Sequence, residues 1–365
     1  MSTITKSKDF KDYSLGSLED PLNEKFKSSI NLDGENKEQL LFDYKQMLLI
    51  RKTEEKISEQ LVAGEIKCPC HLAIGQEAIP VGISRFLRKS DRVFGTHRSH
   101  GHFIAIGGTA ESLFAEVLGK ASGCSKGFGG SMHLYGKEFG FYGSVPIVGA
   151  TISLAVGAGL AAQMDKKENS DMGVCYFGDG AAEEGTLHES LNFASIFNIP
   201  VLFVCENNLF SSHLHISQRQ PKSVVGRYAD AHDILSYTVD GNDLVAVSQA
   251  AQALIDNSRN GGGPGFLEVV TYRWKGHVGP QDDMDVGIKR GEALNHWKKR
   301  DPIRRLSEGL IKSNLSTEGQ LSAIQKEVDQ SIQQDWESAL QAPYPEKSTL
   351  LSAVYSQPSP GGKNV

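Results

Sequence analysis

The chain has 365 residues, enough for one large α/β domain or two smaller ones, and its 39% apolar content supports a sizeable core. Charged residues make up 22%, the formal net charge is −6 and there is no strong basic block, so nucleic acid is not expected as a partner. Five cysteines (Cys68, Cys70, Cys124, Cys175, Cys205) build no small-scaffold framework, and Cys68-Pro-Cys70 lacks the second pair a zinc site needs; a reduced, cytoplasmic protein is expected.

Residues 1–36 are polar and irregular, with neither the apolar core of a signal peptide nor an arginine-rich transit pattern. They read as a flexible arm, disordered or wrapped on a partner. From Lys37 the residues Leu40, Leu41, Tyr44, Met47 and Leu48 recur at helical spacing, and the pattern continues through Ile57 and Leu61. A glycine-rich middle runs from Gly101 to Gly149. The longest apolar stretch, Ile147 to Met164, is rich in Gly and Ala and reads as a tightly packed buried helix, not a membrane span.

Strands and helices then alternate. Gly173 to Phe177 is a short apolar run that stops at Gly178-Asp-Gly180, the mark of a buried strand followed by a tight turn. Glu183 to Phe197 is a helix with Leu187, Leu191, Ala194 and Ile196 on its apolar positions, and Pro200 to Cys205 is a second strand. A helix over Asp243 to Ser258 leads to a third strand, Phe266 to Tyr272. This rhythm predicts an α/β fold: a parallel sheet with right-handed crossovers, flanked by helices. One domain is expected over residues 37–330, followed by a helical and irregular tail over 331–365 punctuated by Pro343, Pro345, Pro358 and Pro360.

Ligands of such sheets sit beyond the carboxyl ends of the strands. Three polar segments fall there: Gly178-Asp-Gly180, Glu206-Asn-Asn208 and Arg273-Trp-Lys-Gly-His277. Asp179 and Asn208 lie 29 positions apart, the length of a βαβ unit that sets both over neighbouring strand ends. A carboxylate, an amide oxygen and a nearby backbone carbonyl form an all-oxygen set suited to Mg²⁺, with positions left for phosphate oxygens. Gly-Asp-Gly alone is more often an ordinary turn; its pairing with the two asparagines is what turns the reading toward a metal site.

The segment from Gly178-Asp-Gly-Ala-Ala-Glu-Glu-Gly185 through Glu206-Asn-Asn208 resembles the thiamine-diphosphate motif of the alpha subunits of pyruvate, branched-chain 2-oxo-acid and acetoin dehydrogenases. The likeness extends, in the family's order, to Cys70-His-Leu-Ala-Ile-Gly-Gln-Glu-Ala78, Thr96-His-Arg-Ser-His-Gly-His102, Gly127-Phe-Gly-Gly-Ser-Met-His133 and Thr271-Tyr-Arg-Trp-Lys-Gly-His277. It implies that Asp179, Asn208 and the carbonyl of Phe210 hold Mg²⁺, and that the diphosphate meets Arg98 and the Gly178-Asp179-Gly180-Ala181 turn. His97 before that arginine, and Trp274-Lys-Gly-His277, look more like the acetoin branch. Ile147 to Ala150, with Pro146 and Val148, matches the strip whose backbone addresses the aminopyrimidine ring; core packing explains that strip equally well.

Eleven histidines prove nothing by number. His71, His100 and His277 stand out because each falls inside a matched segment, and the resemblance implies catalytic roles for them, with His277 beside the diphosphate. His213, His215 and His232 have no such support and read as structural or surface residues. The loop Ser211 to Gln220 departs from the family's usual glycine-rich sequence, and Asp282, Asp283 and Asp285 read as a solvated loop in preference to a second metal site. Val278 stands where animal pyruvate relatives carry a regulatory serine, so kinase control there is not expected.

The resemblance further implies that the cofactor's thiazolium carbon attacks a substrate carbonyl and that its ring takes up electrons as a fragment leaves. The glutamate that activates the aminopyrimidine comes in this family from a separate beta subunit. An α₂β₂ assembly is therefore expected, with a lipoyl-bearing acyltransferase as the next partner and a small 2-oxo acid or acetoin as substrate. The competing readings are a non-catalytic scaffold of the same fold and a transketolase-like two-carbon transferase.

Overall fold

The computed structural model describes residues 4–165, 171–283 and 290–349. Its strands, in chain order, are β1 (Thr5–Lys6), β2 (Arg92–Gly95), β3 (Phe141–Ser144), β4 (Gly173–Gly178), β5 (Val201–Asn207), β6 (Phe210–Ser211), β7 (Leu214–His215), β8 (Leu235–Asp240) and β9 (Gly265–Val270). The helices are α1 (Lys37–Ala63), α2 (Ala78–Ser84), α3 (His100–Ala105), α4 (Ala110–Val117), α5 (Ala150–Met164), α6 (Gly185–Ile196), α7 (Arg227–Asp230), α8 (Leu244–Asn257), α9 (Gly291–Lys298), α10 (Pro302–Lys312) and α11 (Glu318–Gln341).

Seven strands form one sheet in the order β1-β8-β9-β5-β4-β2-β3, parallel throughout except for β1, which runs antiparallel along β8. A small antiparallel hairpin, β6 with β7, stands apart. The three central strands read from sequence are present as β4, β5 and β9, and α6 and α8 lie where the helical patterns place them. Strand alternation divides the core into two layers. Val174, Tyr176, Leu202, Val204, Leu267 and Val269 face α1, α2, α3, α4, α8, α10 and α11. Cys175, Phe177, Val201, Phe203, Cys205 and Phe266 face α5 and α6 on the other side.

The register sets the site. Gly178 at the end of β4 lies opposite Glu206, and Asn207 at the end of β5 lies opposite Val270 at the end of β9. Three strands therefore stop level with one another, and their following turns open on one edge.

Three expectations change. The stretch before Met164 does not form a helix buried all round: one side of α5 packs so closely that a Cβ on Gly173 would lie 2.1 Å from the Ala155 carbonyl oxygen, while Leu154 and Met164 on its other side are exposed. Small residues let this helix approach the sheet, and its remaining apolar face is left open. Residues 4–36, expected as an arm, lie along the chain's own body: β1 joins the sheet edge, and Leu15, Leu18, Phe26, Ile30 and Leu32 are buried. Those five apolar side chains supply the burial that the polar average of the segment conceals. At the other end, α11 runs through the boundary set at residue 330, packing Val328, Ile332 and Trp336 into the core. Among the described residues no helix is long and apolar enough to cross a membrane.

Candidate active site

A cavity of about 190 Å³ opens at the level strand ends. His71, His97, Arg98, Pro146, Val148, Gly178, Asp179, Gly180, Ala181, Asn208, Phe210 and His277 line it, together with Thr96, Glu206, Ser211, Ser212 and Arg273. Of the residues singled out from sequence, only His100 does not line it. His100 is fully buried, one ring nitrogen 2.9 Å from Glu54 Oε2 and the other 2.8 Å from Ser131 Oγ. Against the cost of burial, Glu54 holds this imidazole above its usual pKa. Since Glu54 also accepts from the Ala73 amide, His100 ties α1 to the segment of His71 and to the glycine-rich loop. Its place is that of a positioning group.

The turn after β4 explains Asp179. A 3₁₀ turn over Asp179–Glu183 holds its carboxylate, almost wholly buried, at the cavity floor. A Cβ on Gly180 would run into Ser211 Oγ at 2.4 Å, whereas one on Gly178 would meet nothing within 4 Å. The first glycine lets the hairpin close over the turn; the second leaves backbone open for a ligand's approach. After β5, Leu209 takes a left-handed φ of 69°, which turns Asn208 and Phe210 toward the same floor. The two asparagines divide their work. Asn207 donates to Glu268 Oε1 at 2.7 Å and to the Ser223 carbonyl at 3.1 Å, fastening the turn, while Asn208 lines the cavity.

Arg219 is a site residue that sequence reasoning missed. Its guanidinium contacts both the Asp179 and Glu183 carboxylates. Burial pushes the Asp179 carboxyl upward in pKa, and Arg219 pulls against it. Gln220 reinforces the arrangement by donating to the Asp179 carbonyl at 3.1 Å and to Glu183 Oε1 at 3.0 Å. The divergent loop thus sends a cation to the buried carboxylate. A hard cation fits this floor on chemical grounds: the donors are oxygens and one is a buried carboxylate, for which Arg219 competes. Arg219 has a second partner in Glu183 to which it can withdraw.

Positive charge also lines the walls. Arg98 donates to the Leu72 carbonyl at 2.6 Å and to the His277 carbonyl at 3.0 Å, and burial, then the nearby Arg273, pulls its pKa down to about 9. A guanidinium so short of solvent and counter-charge favours an anion. Arg273, a second residue missed from sequence, is held by Asp283 at 3.3 Å and by the Ser212 carbonyl at 2.6 Å. Asp283 is therefore not in a solvated loop, as expected from sequence. It is buried, accepts from the His277 amide at 2.7 Å, and stands 3.6 Å from His213, whose ring approaches His277 at 6.3 Å. Asp282 pairs with Lys275 at 3.1 Å, and Asp285 lies outside the described residues.

His71, His97 and His277 meet edge to face, with ring centroids 4.5, 5.0 and 5.5 Å apart. Burial and then Arg98 hold all three neutral, with pKa values near 3 for His71, 2 for His97 and 4 for His277.

A sheet-edge cavity with a buried carboxylate, open glycine backbone and two arginines defines an enzyme site for a phosphorylated cofactor. The dehydrogenase E1 component family matches over residues 45–348, and the chain belongs to it. It is 38% identical over 325 residues to the alpha subunit of acetoin:2,6-dichlorophenolindophenol oxidoreductase of Bacillus subtilis, covering 89% of this chain and 96% of that one. With the pyruvate dehydrogenase E1 alpha subunit of Rhizobium meliloti it shares 37% over 319 residues, 87% and 90% of the two chains. The acetoin enzyme's alpha subunit of Cupriavidus necator shares 36% over 323 residues, 88% and 95%. The chain is thus the alpha-type subunit of a thiamine-diphosphate-dependent 2-oxo-acid or acetoin dehydrogenase, and a beta-type subunit is its partner.

Proposed function

We propose that this chain anchors thiamine diphosphate through a magnesium ion held by Asp179, Asn208 and the Phe210 carbonyl, and that it works within an α₂β₂ assembly in the cytoplasm. The observation that carries this reading is the level ending of β4, β5 and β9, which brings Asp179, Asn208 and His277 to one cavity. When bound, the cofactor supplies an electron-accepting ring that stabilises charge left by the cleaved bond of a 2-oxo acid or acetoin.

The chain's own residues bind and orient. The Gly178-to-Ala181 turn offers backbone to the diphosphate, and Arg98 offers N–H donors that burial leaves eager for phosphate oxygen. Pro146 and Val148 form the wall toward the aminopyrimidine. Neutral His277 and His71 line the cavity with ring nitrogens that can donate or accept hydrogen bonds, which suits them to orienting substrate and the departing acyl group. His100 holds the His71 segment in place from below.

An apolar face supports the site of the beta subunit. Leu154 on α5 and Phe193 and Ile196 on α6 are exposed, and Ile147 and Val148 at the cavity rim extend that surface. Apolar side chains left exposed on two helices that pack against each other mark an interface. A lipoyl-bearing acyltransferase is the proposed acceptor of the product.

The test is reconstitution with the beta partner. Calorimetry should show thiamine diphosphate binding only with a divalent cation, and 2,6-dichlorophenolindophenol should be reduced with a 2-oxo acid or acetoin. Asp179→Asn should abolish cofactor binding; unchanged affinity overturns the assignment of the metal ligand.

A further inference from the structure

Cys68 and Cys70 stand outside the cofactor cavity and face each other across Pro69, with their sulfurs 3.9 Å apart. Their surroundings differ. Cys70 is fully buried, whereas Cys68 is half-buried and lines an open groove with Lys67, Pro69 and Phe128, so small solutes reach its sulfur. The backbone joins this pair to the cavity. Cys70 immediately precedes His71, and its carbonyl accepts from the Gly279 amide at 2.8 Å, two residues beyond His277. A movement of Cys70 is therefore passed to two segments that line the cofactor cavity.

We propose that Cys68 and Cys70 form a reversible thiol–disulfide site that reacts with hydroperoxides and, when oxidised, disables the cavity. Cys68 is the sulfur that attacks: it is the accessible one, and its pKa of about 7 supplies thiolate at neutral pH. The thiolate takes one oxygen of the peroxide to become a sulfenic acid, and the O–O bond breaks. The other oxygen leaves as hydroxide and takes a proton from solvent. The Cys70 sulfur then attacks the sulfenic sulfur, the S–S bond forms, and the hydroxyl departs with the Cys70 proton as a second water. Two electrons leave the thiol pair and reduce one peroxide to two waters.

The geometry sets the consequence. A disulfide needs about 2.05 Å between sulfurs, so the pair must approach by roughly 1.9 Å from its present 3.9 Å. With Cys70 wholly enclosed, side-chain rotation has little room, and the backbone of 68–70 takes up part of that approach. The Cys70 carbonyl then shifts from the Gly279 amide and draws His71 with it. A ring of three residues also strains the bond, and strained, accessible disulfides are the readily reduced, regulatory kind.

The test exposes the reduced complex of this chain with its beta partner to hydrogen peroxide, removes the peroxide with catalase, blocks free thiols with N-ethylmaleimide in denaturant and maps tryptic peptides. Cleavage after Lys67 and Arg85 leaves both cysteines in one peptide, residues 68–85. That peptide is expected unalkylated and two hydrogens lighter than its reduced form, while Cys124, Cys175 and Cys205 carry the blocking group. Dithiothreitol before blocking should return both thiols. In Cys70→Ala the second step is lost, so the Cys68 sulfenic acid should persist for capture by dimedone, as it should not in wild type. Free thiols at both positions after peroxide, sulfinic acid at Cys68 as the main wild-type product, or a disulfide from Cys68 to another chain overturns the inference. The inhibitory consequence rests on the proposed function and is read in the same samples. Dye reduction with a 2-oxo acid or acetoin should be lost on oxidation and recover with dithiothreitol, while Cys68→Ser should keep its activity under the same peroxide. Full turnover by a complex whose 68–85 peptide is oxidised, or equal inactivation of Cys68→Ser, overturns the switch. A reduced complex that turns over none of these substrates counts against the proposed function, and the peptide map still decides the thiol site.

Discussion

Arg219 places its guanidinium on the carboxylate of Asp179, so the residue proposed to hold magnesium is neutralised by a side chain from a loop 40 positions further on. The pair is nearly solvent-free, and removing one partner of such a pair leaves an uncompensated buried charge. Arg219→Gln should therefore cost the metal-free protein roughly 3 kcal/mol. The same substitution removes a competitor for the carboxylate, so magnesium should restore more stability to the variant than to wild type. Thermal unfolding with and without Mg²⁺ and thiamine diphosphate checks both halves. An equal magnesium increment in the two proteins would mean that Arg219 and the metal do not share Asp179.

The three neutral histidines make a pH prediction with a definite sign. Their pKa values in the fold are about 3, 2 and 4, against an ordinary 6.5 in the unfolded chain. Between those limits the unfolded chain binds more protons, so stability rises with pH there. The contribution is complete above pH 6.5 and is lost as the pH falls through about 4 and below. Melting temperatures of the cofactor-free protein from pH 7 to pH 4 should drop, and His71→Asn should flatten the decline. An identical slope in the variant would place the acid sensitivity elsewhere.

What could be read from the chain tracks how strongly each element is written in it. Strands β4, β5 and β9 are buried on both faces and appear as largely apolar runs, broken in β9 only by Glu268 and ending in β5 at Glu206. Strand β8 was not legible because its buried positions include Ser236, Thr238 and Asp240, made tolerable inside by partners distant in sequence, such as Arg300 and Arg305 on Asp240. Strands β2 and β3 have four residues each and carry Arg92 and Gly143, too short and mixed to show a period. The floor of the site was legible because its donors sit at strand ends in one motif. Arg219 was not: it comes from the loop whose sequence departs from the motif, and only the fold returns that loop to Asp179. Arg273 and Asp283 gave a partial signal, standing respectively in the segment of His277 and just after it. Their mutual ion pair could not be inferred from spacing.

Cysteine reactivity offers a check on the packing beside His71. Cys68 and Cys70 have their sulfurs 3.9 Å apart, and the Cys70 thiol donating to Cys68 lowers the latter's pKa to about 7 despite burial. Burial raises Cys124 to about 11 and pushes Cys175 and Cys205 up as well. Thiolate is the reactive form, so iodoacetamide at pH 7 should modify Cys68 first. Cys70→Ala should slow that reaction by about tenfold, as the thiol returns toward its ordinary value. Peptide mass mapping reads the order, and labelling of Cys124 ahead of Cys68 would contradict this geometry.

The glycine-rich loop depends on one buried carboxylate. Glu116 on α4 accepts from the amides of Ser125 at 2.7 Å, Gly127 at 3.0 Å, Gly129 at 2.7 Å and Gly130 at 3.1 Å. Four donors converge on two oxygens, and no neutral side chain can accept from all of them. Glu116→Gln turns an amide N–H₂ toward backbone N–H groups, which should cost roughly 3 kcal/mol through lost charge-assisted bonds and donors left unpaired. The damage should not stay local. Ser131, at the end of this loop, bonds His100, and His100 bonds the Glu54 that holds the His71 segment. Faster amide exchange is therefore expected first at residues 125–131 and next around Ala73. Exchange confined to the loop, with the Ala73 amide as protected as in wild type, would show that His100 does not transmit loop order to the cavity.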